Sequence, residues 1–526
     1  MDTERIFFDS FVNFGMYEHK DPRAPWSVED VLQEMNQCGI DAAVCSYNLS
    51  KRYDPMYGNL QLMEIIKNKE RLYPCWVVMP HHSGDFAKHG EVVSQLKYYD
   101  VRAVKIWPKT QNYSWQPWCM GSLMEALSKN EYPVMVEIDE FSRNFDNVFN
   151  FLSVYNHVPI LLQGCDWSES RYLYPLMEKF KNLYIEFSMN QANAAIEIMY
   201  QRYGADRLLF GSRAPLQSMG AARSFIDYSM IPEDAKRKIS GQNLTRLTGI
   251  NPVPVKNVKK DDPIIEKAKK GLPLDDILVI DAHAHCGHKG GEGVGTIPMP
   301  QSDVEFMLEK NNLMGVEKVC LSSWVGIFTP YDREGNDITG DAVMRYPERI
   351  VGYATIDPTH NNDIKSEINR AYMKLGLKGL KPYHLCGLPY DHPLYNPWWE
   401  FADEHHLFAL IHGAQQEAEI LSERYKNVSF ILAHRAATYP VIRSAAELIK
   451  KRENVYAEIT YTDVPLNAIE FLVELVGADR VLYGTDSPMR DPRPQFGWLA
   501  YTKLSYEEKK KIFGENMSKI LARCRL

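Results

Sequence analysis

The chain repeats itself, and that repeat constrains its fold more than any other feature. Residues 6–15, IFFDSFVNFG, match residues 278–287, LVIDAHAHCG, with Asp9 over Asp281 and Gly15 over Gly287. Further matches follow in the same order. ERLYPCWVVMP (70–80) parallels ERIVGYATIDP (348–358), and VRAVKIWP (101–108) parallels LKGLKPYH (377–384). NLYIEFS (182–188) parallels NVYAEIT (454–460), and GADRLLFGSRAP (204–215) parallels GADRVLYGTDSP (477–488). GQNLTRL (241–247) parallels GENMSKI (514–520). A collinear series over a chain of 526 residues marks a tandem duplication, and two domains are also what that length favours. The expected domains are 1–250 and 277–526. Residues 251–276 are Pro- and Lys-rich, lack a counterpart in the repeat, and read as the connection, with a helix expected at Asp262–Lys270.

Within each half, short apolar runs alternate with amphipathic stretches. The runs VEKVCLSS (316–323), IVGYATI (350–356), LFALIHG (407–413), VSFILAH (428–434) and RVLYGTD (480–486) are continuously apolar rather than alternating. That suits parallel strands covered by helices. Ser302, with Glu305 at capping-box spacing, is the expected N-cap of the helix after the first of these strands' predecessors. About eight β/α units in about 250 residues is the size of a (β/α)8 barrel, so the expected fold class is α/β, two tandem TIM barrels. A doubly wound open sheet is the structural alternative. No GxGxxG follows the first strand, which weakens its dinucleotide-binding form.

Composition narrows the function. With 60 Lys+Arg against 68 Asp+Glu, the net charge of −8 leaves no basic excess for nucleic acid. No apolar run spans a bilayer. The opening MDTERIFFDS has no basic region leading into an apolar core, and the nine Cys include no CxxC pair. The expectation is a cytoplasmic protein with reduced thiols, acting on a small molecule and using neither nucleic acid nor membrane as partner.

Barrel active sites lie at the C-terminal ends of the strands. In the second half those ends carry His283 and His285 (first strand), His412 (fifth), His434 (sixth) and Asp486 (eighth). Residues i and i+2 of a strand share a face, so His283 and His285 aim together. Imidazoles and one carboxylate converging on a point suit a divalent transition metal with a position left for water. The first half differs at the same places. Phe11, Asn13, Glu137 and Arg213 replace His283, His285, His412 and Asp486, and Gly164 falls opposite His434. A metal site cannot be assembled from that set. Such a half serves as a structural partner, or as a former site that takes an anion.

The motifs DAHAH, IHG, LAH, YGTDSP and GENMSKIL resemble the amidohydrolase superfamily. They most resemble the amidohydrolase-related branch that includes enzymes like aminocarboxymuconate semialdehyde decarboxylase. The resemblance covers 277–526 and, weakly, 1–250, which reads as a degenerate copy. It implies metal ligands at His283, His285, His412 and Asp486, and a sixth-strand histidine at His434 that acts on the substrate. One departure is that Arg435, Ala436 and Ala437 follow His434, where this branch has a Gly pair. In binuclear members a carboxylated lysine bridges two metals, and Lys381 lies where such a lysine could be. Its repeat partner Lys105 persists without metal ligands, which favours one ion, Zn²⁺ before Mn²⁺.

The resulting expectation is a metal-dependent hydrolase acting on a lactone, amide or ester. Asp486 shuttles a proton, and His434 polarises the carbonyl. Trp324, Tyr383, His384, Arg435 and Arg490 are candidate substrate contacts. Non-oxidative decarboxylation is the alternative, and an inactive binding or scaffold protein is the reading from another class. The two halves are expected to form an intramolecular pseudo-dimer, with the loop QNYSWQPW (111–118) either reaching towards the second site or covering the first half's own pocket.

Overall fold

The computed structural model describes residues 5–17, 21, 23–255, 262–288, 290, 293–360, 363–382 and 387–526. It divides into two compact units, Met1–Gln191 with Ala195–Asp261, and Ala192–Ala194 with Asp262–Leu526.

The first unit is an eight-stranded parallel barrel. Its strands are β1 (Phe8–Phe14), β2 (Ala42–Tyr47), β3 (Leu72–Val77), β4 (Ala103–Lys105), β5 (Val134–Glu137), β6 (Ile160–Gln163), β7 (Leu183–Glu186) and β8 (Leu208–Leu209), each paired with the next. The second unit repeats this order with β9 (Ile280–Cys286), then a small hairpin of β10 (Gly293–Val294) and β11 (Ile297–Pro298), then β12 (Lys318–Ser323), β13 (Ile350–Ala354), β14 (Gly379–Leu380), β15 (Phe408–Ile411), β16 (Ser429–Leu432), β17 (Val455–Glu458) and β18 (Val481–Leu482). Both barrels close through backbone bonds from the first strand to the last. Ser10 N donates to Phe210 O at 3.0 Å, and Ala282 N donates to Tyr483 O at 2.9 Å.

The strands are shorter than the apolar runs that announced them. RVLYGTD forms ladder pairs only at Val481–Leu482, and beyond them its backbone bonds to the first strand, Asp486 N donating to His283 O at 2.7 Å. The connection holds a helix at Pro263–Lys269, capped by Asp262, which accepts from Ile265 N at 2.8 Å. The helix after β9 is capped by Asp303, not by the expected Ser302: the Asp303 carboxylate accepts from Phe306 N. A carboxylate is available one residue later, and Ser302 is instead buried beneath Gly287.

The repeated motifs have physical roles. Asn243 Nδ2 donates to Ala205 O and Leu208 O, both at 2.8 Å, and Asn516 Nδ2 donates to Ala478 O and Val481 O at 2.8 and 2.9 Å. Leu244 and Met517, one residue on, enter the cores of their barrels. A β-carbon on Gly241 or Gly514 would lie 2.8 or 2.3 Å from the carbonyl oxygen of Ile6 or Leu278, so each closing helix approaches its first strand only with glycine.

A tight core predicts one stability effect. A β-carbon on Gly379 would lie 2.4 Å from the Tyr353 ring and 2.6 Å from the Phe408 ring, and both rings are fully buried. Gly379→Ala should cost about 1–3 kcal/mol, as overpacking does. It should lower the thermal midpoint; a variant melting with the parent would contradict this packing.

Candidate metal centre

The mouth of the second barrel gathers donors from four strands. His283 and His285 lie at the end of β9, with Nε2 atoms 3.2 Å apart. Asp486 Oδ1 lies 3.5 Å from His283 Nε2 and 3.2 Å from His285 Nε2. The three residues form one set of donors within 4.8 Å of each other, and His283, His434 and Glu458 form another. Among the described residues such sets occur only in the second barrel.

Backbone geometry aims these groups. Asp486 N donates to His283 O at 2.7 Å, which fixes the eighth strand's end against the first. Asp486 and His434 adopt left-handed backbone, with φ of 55° and 63°. The first barrel has the same conformation at Arg213 (62°) and Gly164 (72°). For a residue with a β-carbon this costs roughly 1–2 kcal/mol, a cost met only where the surroundings enforce it.

Behind the donors stands a set of partners. His283 Nδ1 lies 3.1 Å from Glu458 Oε2, and His285 Nδ1 lies 2.9 Å from Ser322 Oγ. Glu458 also accepts from His434 N at 3.2 Å and from Thr460 N at 2.5 Å. Both its oxygens thus accept backbone N–H groups, and with Glu458 ionised, the form a bound cation favours, His283 donates Nδ1–H to it and turns a lone pair on Nε2 towards the centre. Partners of this kind set the tautomer and orientation of metal-binding histidines. Glu458 was not among the strand-end residues expected from the sequence. Its signal was in the repeat, where NVYAEIT aligns with NLYIEFS and places Glu458 over Glu186. Gly484 belongs with it, since a β-carbon there would lie 2.5 Å from Glu458 Oε1.

The charges suit a cation. Burial holds His283 well below the usual imidazole range and lowers His285, while burial, partly offset by Asp486, lowers His434 to about 3. All three are neutral, as ligands must be. Burial would raise the Asp486 carboxyl, but Arg490 and the histidines hold it well below the usual range. Glu458 is pushed well above it by burial, with the charges of Asp486 and Asp281 adding. A fully buried cluster of carboxylates and neutral imidazoles has the donor chemistry of a divalent-ion site, so the residues present fit the group.

The other expected site residues fall in different places. His412 is exposed, its ring 4.9 Å from that of His434, and it lies outside both tight donor sets. Trp324 is buried with its ring 4.1 Å from His285 and forms a wall of the centre. Arg490 is buried, pairing with Asp486 Oδ2 and donating to Thr462 Oγ1. Arg435 is half-buried, and its Nε donates back to Ala433 O at 2.7 Å. Tyr383 and His384 lie outside the described residues. Lys381 is fully buried beside the centre, and its Nζ has no hydrogen-bond partner among the described residues. Burial, against the pull of Asp486 and Glu458, lowers it to about 8. Thr460 and Thr462, which hold His434 and Arg490, were also missed by the sequence reading.

The chain is similar in part to known proteins. Residues 280–522 match the amidohydrolase family model. No curated protein matches the chain. Among solved structures, an uncharacterised TIM-barrel protein of Bordetella bronchiseptica is similar, with 14% identity, 47% of this chain and 99% of that chain covered, and a TM-score of 0.39. The 5-carboxyvanillate decarboxylase of Sphingomonas paucimobilis gives 16% identity, 47% and 99% coverage and a TM-score of 0.38. A dihydroxybenzoic acid decarboxylase of Polaromonas, solved with bound manganese and an inhibitor, gives 17% identity, 47% and 97% coverage and a TM-score of 0.38.

The partner shell makes a prediction. Glu458→Gln keeps the side chain's size but replaces one acceptor oxygen with an amide. It should weaken divalent-ion binding by about 10–100-fold, read by titrating chelator-treated protein. Unchanged affinity would remove Glu458 from the task of orienting His283.

Proposed function

We propose, from the amidohydrolase match over 280–522 and the donor geometry, that the second barrel is a metal-dependent hydrolase of a small carbonyl substrate, a lactone, amide or ester. The observation that carries it is the convergence of His283 Nε2, His285 Nε2 and Asp486 Oδ1 within 3.2–3.5 Å. One divalent ion, Zn²⁺ before Mn²⁺, is assigned to these three residues, with His412 completing the set. Such an ion polarises a carbonyl and acidifies water.

In this reading the proton chemistry falls to His434. His434 Nδ1 lies 2.9 Å from Thr460 O, which can only accept, so the proton of this neutral ring is on Nδ1. Its Nε2 then holds a lone pair. That favours His434 as the acceptor of the attacking water's proton, returned afterwards to the leaving group. Polarising a carbonyl, the role expected for it, needs an Nε2–H instead. Asp486, paired with Arg490, is given the role of binding and orienting in this reading.

A second reading is metal-dependent decarboxylation, favoured by Lys381. A buried ammonium with no partner among the described residues is suited to a substrate carboxylate. In that reaction the bond to the carboxylate breaks, CO2 leaves, and the carbon keeps the electron pair and takes up a proton.

The test is a turnover screen of the metal-loaded chain against lactones, N-acyl compounds and aromatic acids, with released CO2 trapped. Hydrolysis yields products that together keep every substrate carbon; decarboxylation yields CO2; turnover of nothing supports a binding or scaffold role. His434→Gln should retain the ion while kcat falls about 10²–10⁴-fold. Asp486→Asn should fold normally yet lose turnover and most metal affinity. Near-native kcat in either variant would remove that residue from its assigned role.

A further inference from the structure

The first barrel has its own cavity at the place where the second has its metal centre. Its volume is about 310 Å³, at the small end of ligand pockets, and its lining includes Phe11, Tyr17, Lys51, Trp107, Glu137 and Arg213. Phe11, Glu137 and Arg213 are the residues that replace His283, His412 and Asp486.

The carboxylates here are already engaged. Glu137 pairs with Lys105 at 2.8 Å and accepts from Asn13 Nδ2 at 3.0 Å. Asp139 pairs with Arg143 at 3.1 Å. Glu140 accepts from Thr110 N at 2.9 Å and Thr110 Oγ1 at 2.6 Å. Lys51 has no such partner: among the described residues no carboxylate lies within ion-pair distance of its Nζ, which stands 3.5 Å above the Trp107 ring. Burial, partly offset by Glu137, pulls Lys51 down to about 8. Those surroundings supply too little negative charge for this cation. Arg213 adds a second cation to the lining, and Phe11 and Trp107 add aromatic rings, with Lys105 Nζ 4.6 and 4.5 Å over them.

We propose that the mouth of the first barrel is a binding site for a small organic carboxylate with a planar apolar body, held without metal by Lys51 and Arg213 against Phe11 and Trp107. A carboxylate matches two cations set beside engaged acids, and the aromatic walls take the apolar body. Inorganic phosphate has no apolar body for the aromatic side chains to hold. This site does not depend on the reaction assigned to the second barrel.

The experiment is calorimetric titration of the full chain, stripped of metal, with benzoate, benzyl alcohol and inorganic phosphate. Benzoate should bind saturably, and at least tenfold more tightly than either of the others. His283→Ala/His285→Ala should leave benzoate binding in place, since it alters only the second barrel. Lys51→Gln and Arg213→Gln should each weaken benzoate at least tenfold, and Lys51→Arg should recover much of the affinity. The proposal is overturned if benzoate does not bind, if phosphate or benzyl alcohol binds as well, if the histidine variant abolishes binding, or if Lys51→Gln binds as the parent does. Should Lys51→Gln fail to fold, the Arg213→Gln and Lys51→Arg titrations decide the same question.

Discussion

The candidate centre depends on how the last strand of the second barrel is fastened to the first. Asp281 is fully buried and accepts from His283 N at 3.0 Å, Thr485 N at 3.1 Å and Thr485 Oγ1 at 2.5 Å. One carboxylate thus ties the strand that carries both histidines to the turn that carries Asp486. With the backbone bond from Asp486 N to His283 O, this sets the three donor atoms at one point. Asp9 does the same in the first barrel, accepting from Phe11 N and Ser212 N at 2.9 and 3.1 Å. The fastening belongs to the duplicated scaffold, and the chemistry is placed on it by the residues at its ends.

The lysine under each mouth shows how a few substitutions change what the scaffold presents. Lys105 and Lys381 occupy the same repeat position. Lys105 meets Glu137 at 2.8 Å and Asn13 Oδ1 at 3.3 Å, a closed polar group in the barrel mouth. In the second barrel the glutamate is His412 and the asparagine is His285. Those exchanges supply imidazoles and remove the lysine's counter-charge together, so Lys381 is left buried without a partner among the described residues. Burying an uncompensated cation is costly, and such costs concentrate where a ligand repays them.

Much of this was legible in the sequence because the repeat doubled every scaffold signal. Asp9 with Asp281, Asn243 with Asn516 and the paired glycines all stood in aligned positions, and each proves to hold strands or helices together. His283 and His285 were legible from i, i+2 spacing on an apolar strand. Glu458 was hidden by the same logic: shared with the first barrel, it looked like scaffold, and it is scaffold that also orients His283. Arg490 read as a rim cation for substrate, but a turn of four residues brings it back onto Asp486. The proton on His434 Nδ1 depends on the carbonyl of Thr460, a neighbour from the next strand that no local pattern reveals. No helix among the described residues is long and apolar enough to cross a membrane, and every described cysteine is a free thiol.

The central claim is that His283, His285 and Asp486 hold a divalent ion. Elemental analysis of the purified chain, beside a His283→Ala/His285→Ala variant, tests it most directly. The account predicts about one transition-metal ion per parent chain and a near-total loss in the folded variant. Undiminished metal in the variant, or a parent chain that takes up no ion when offered Zn²⁺ or Mn²⁺, would contradict it.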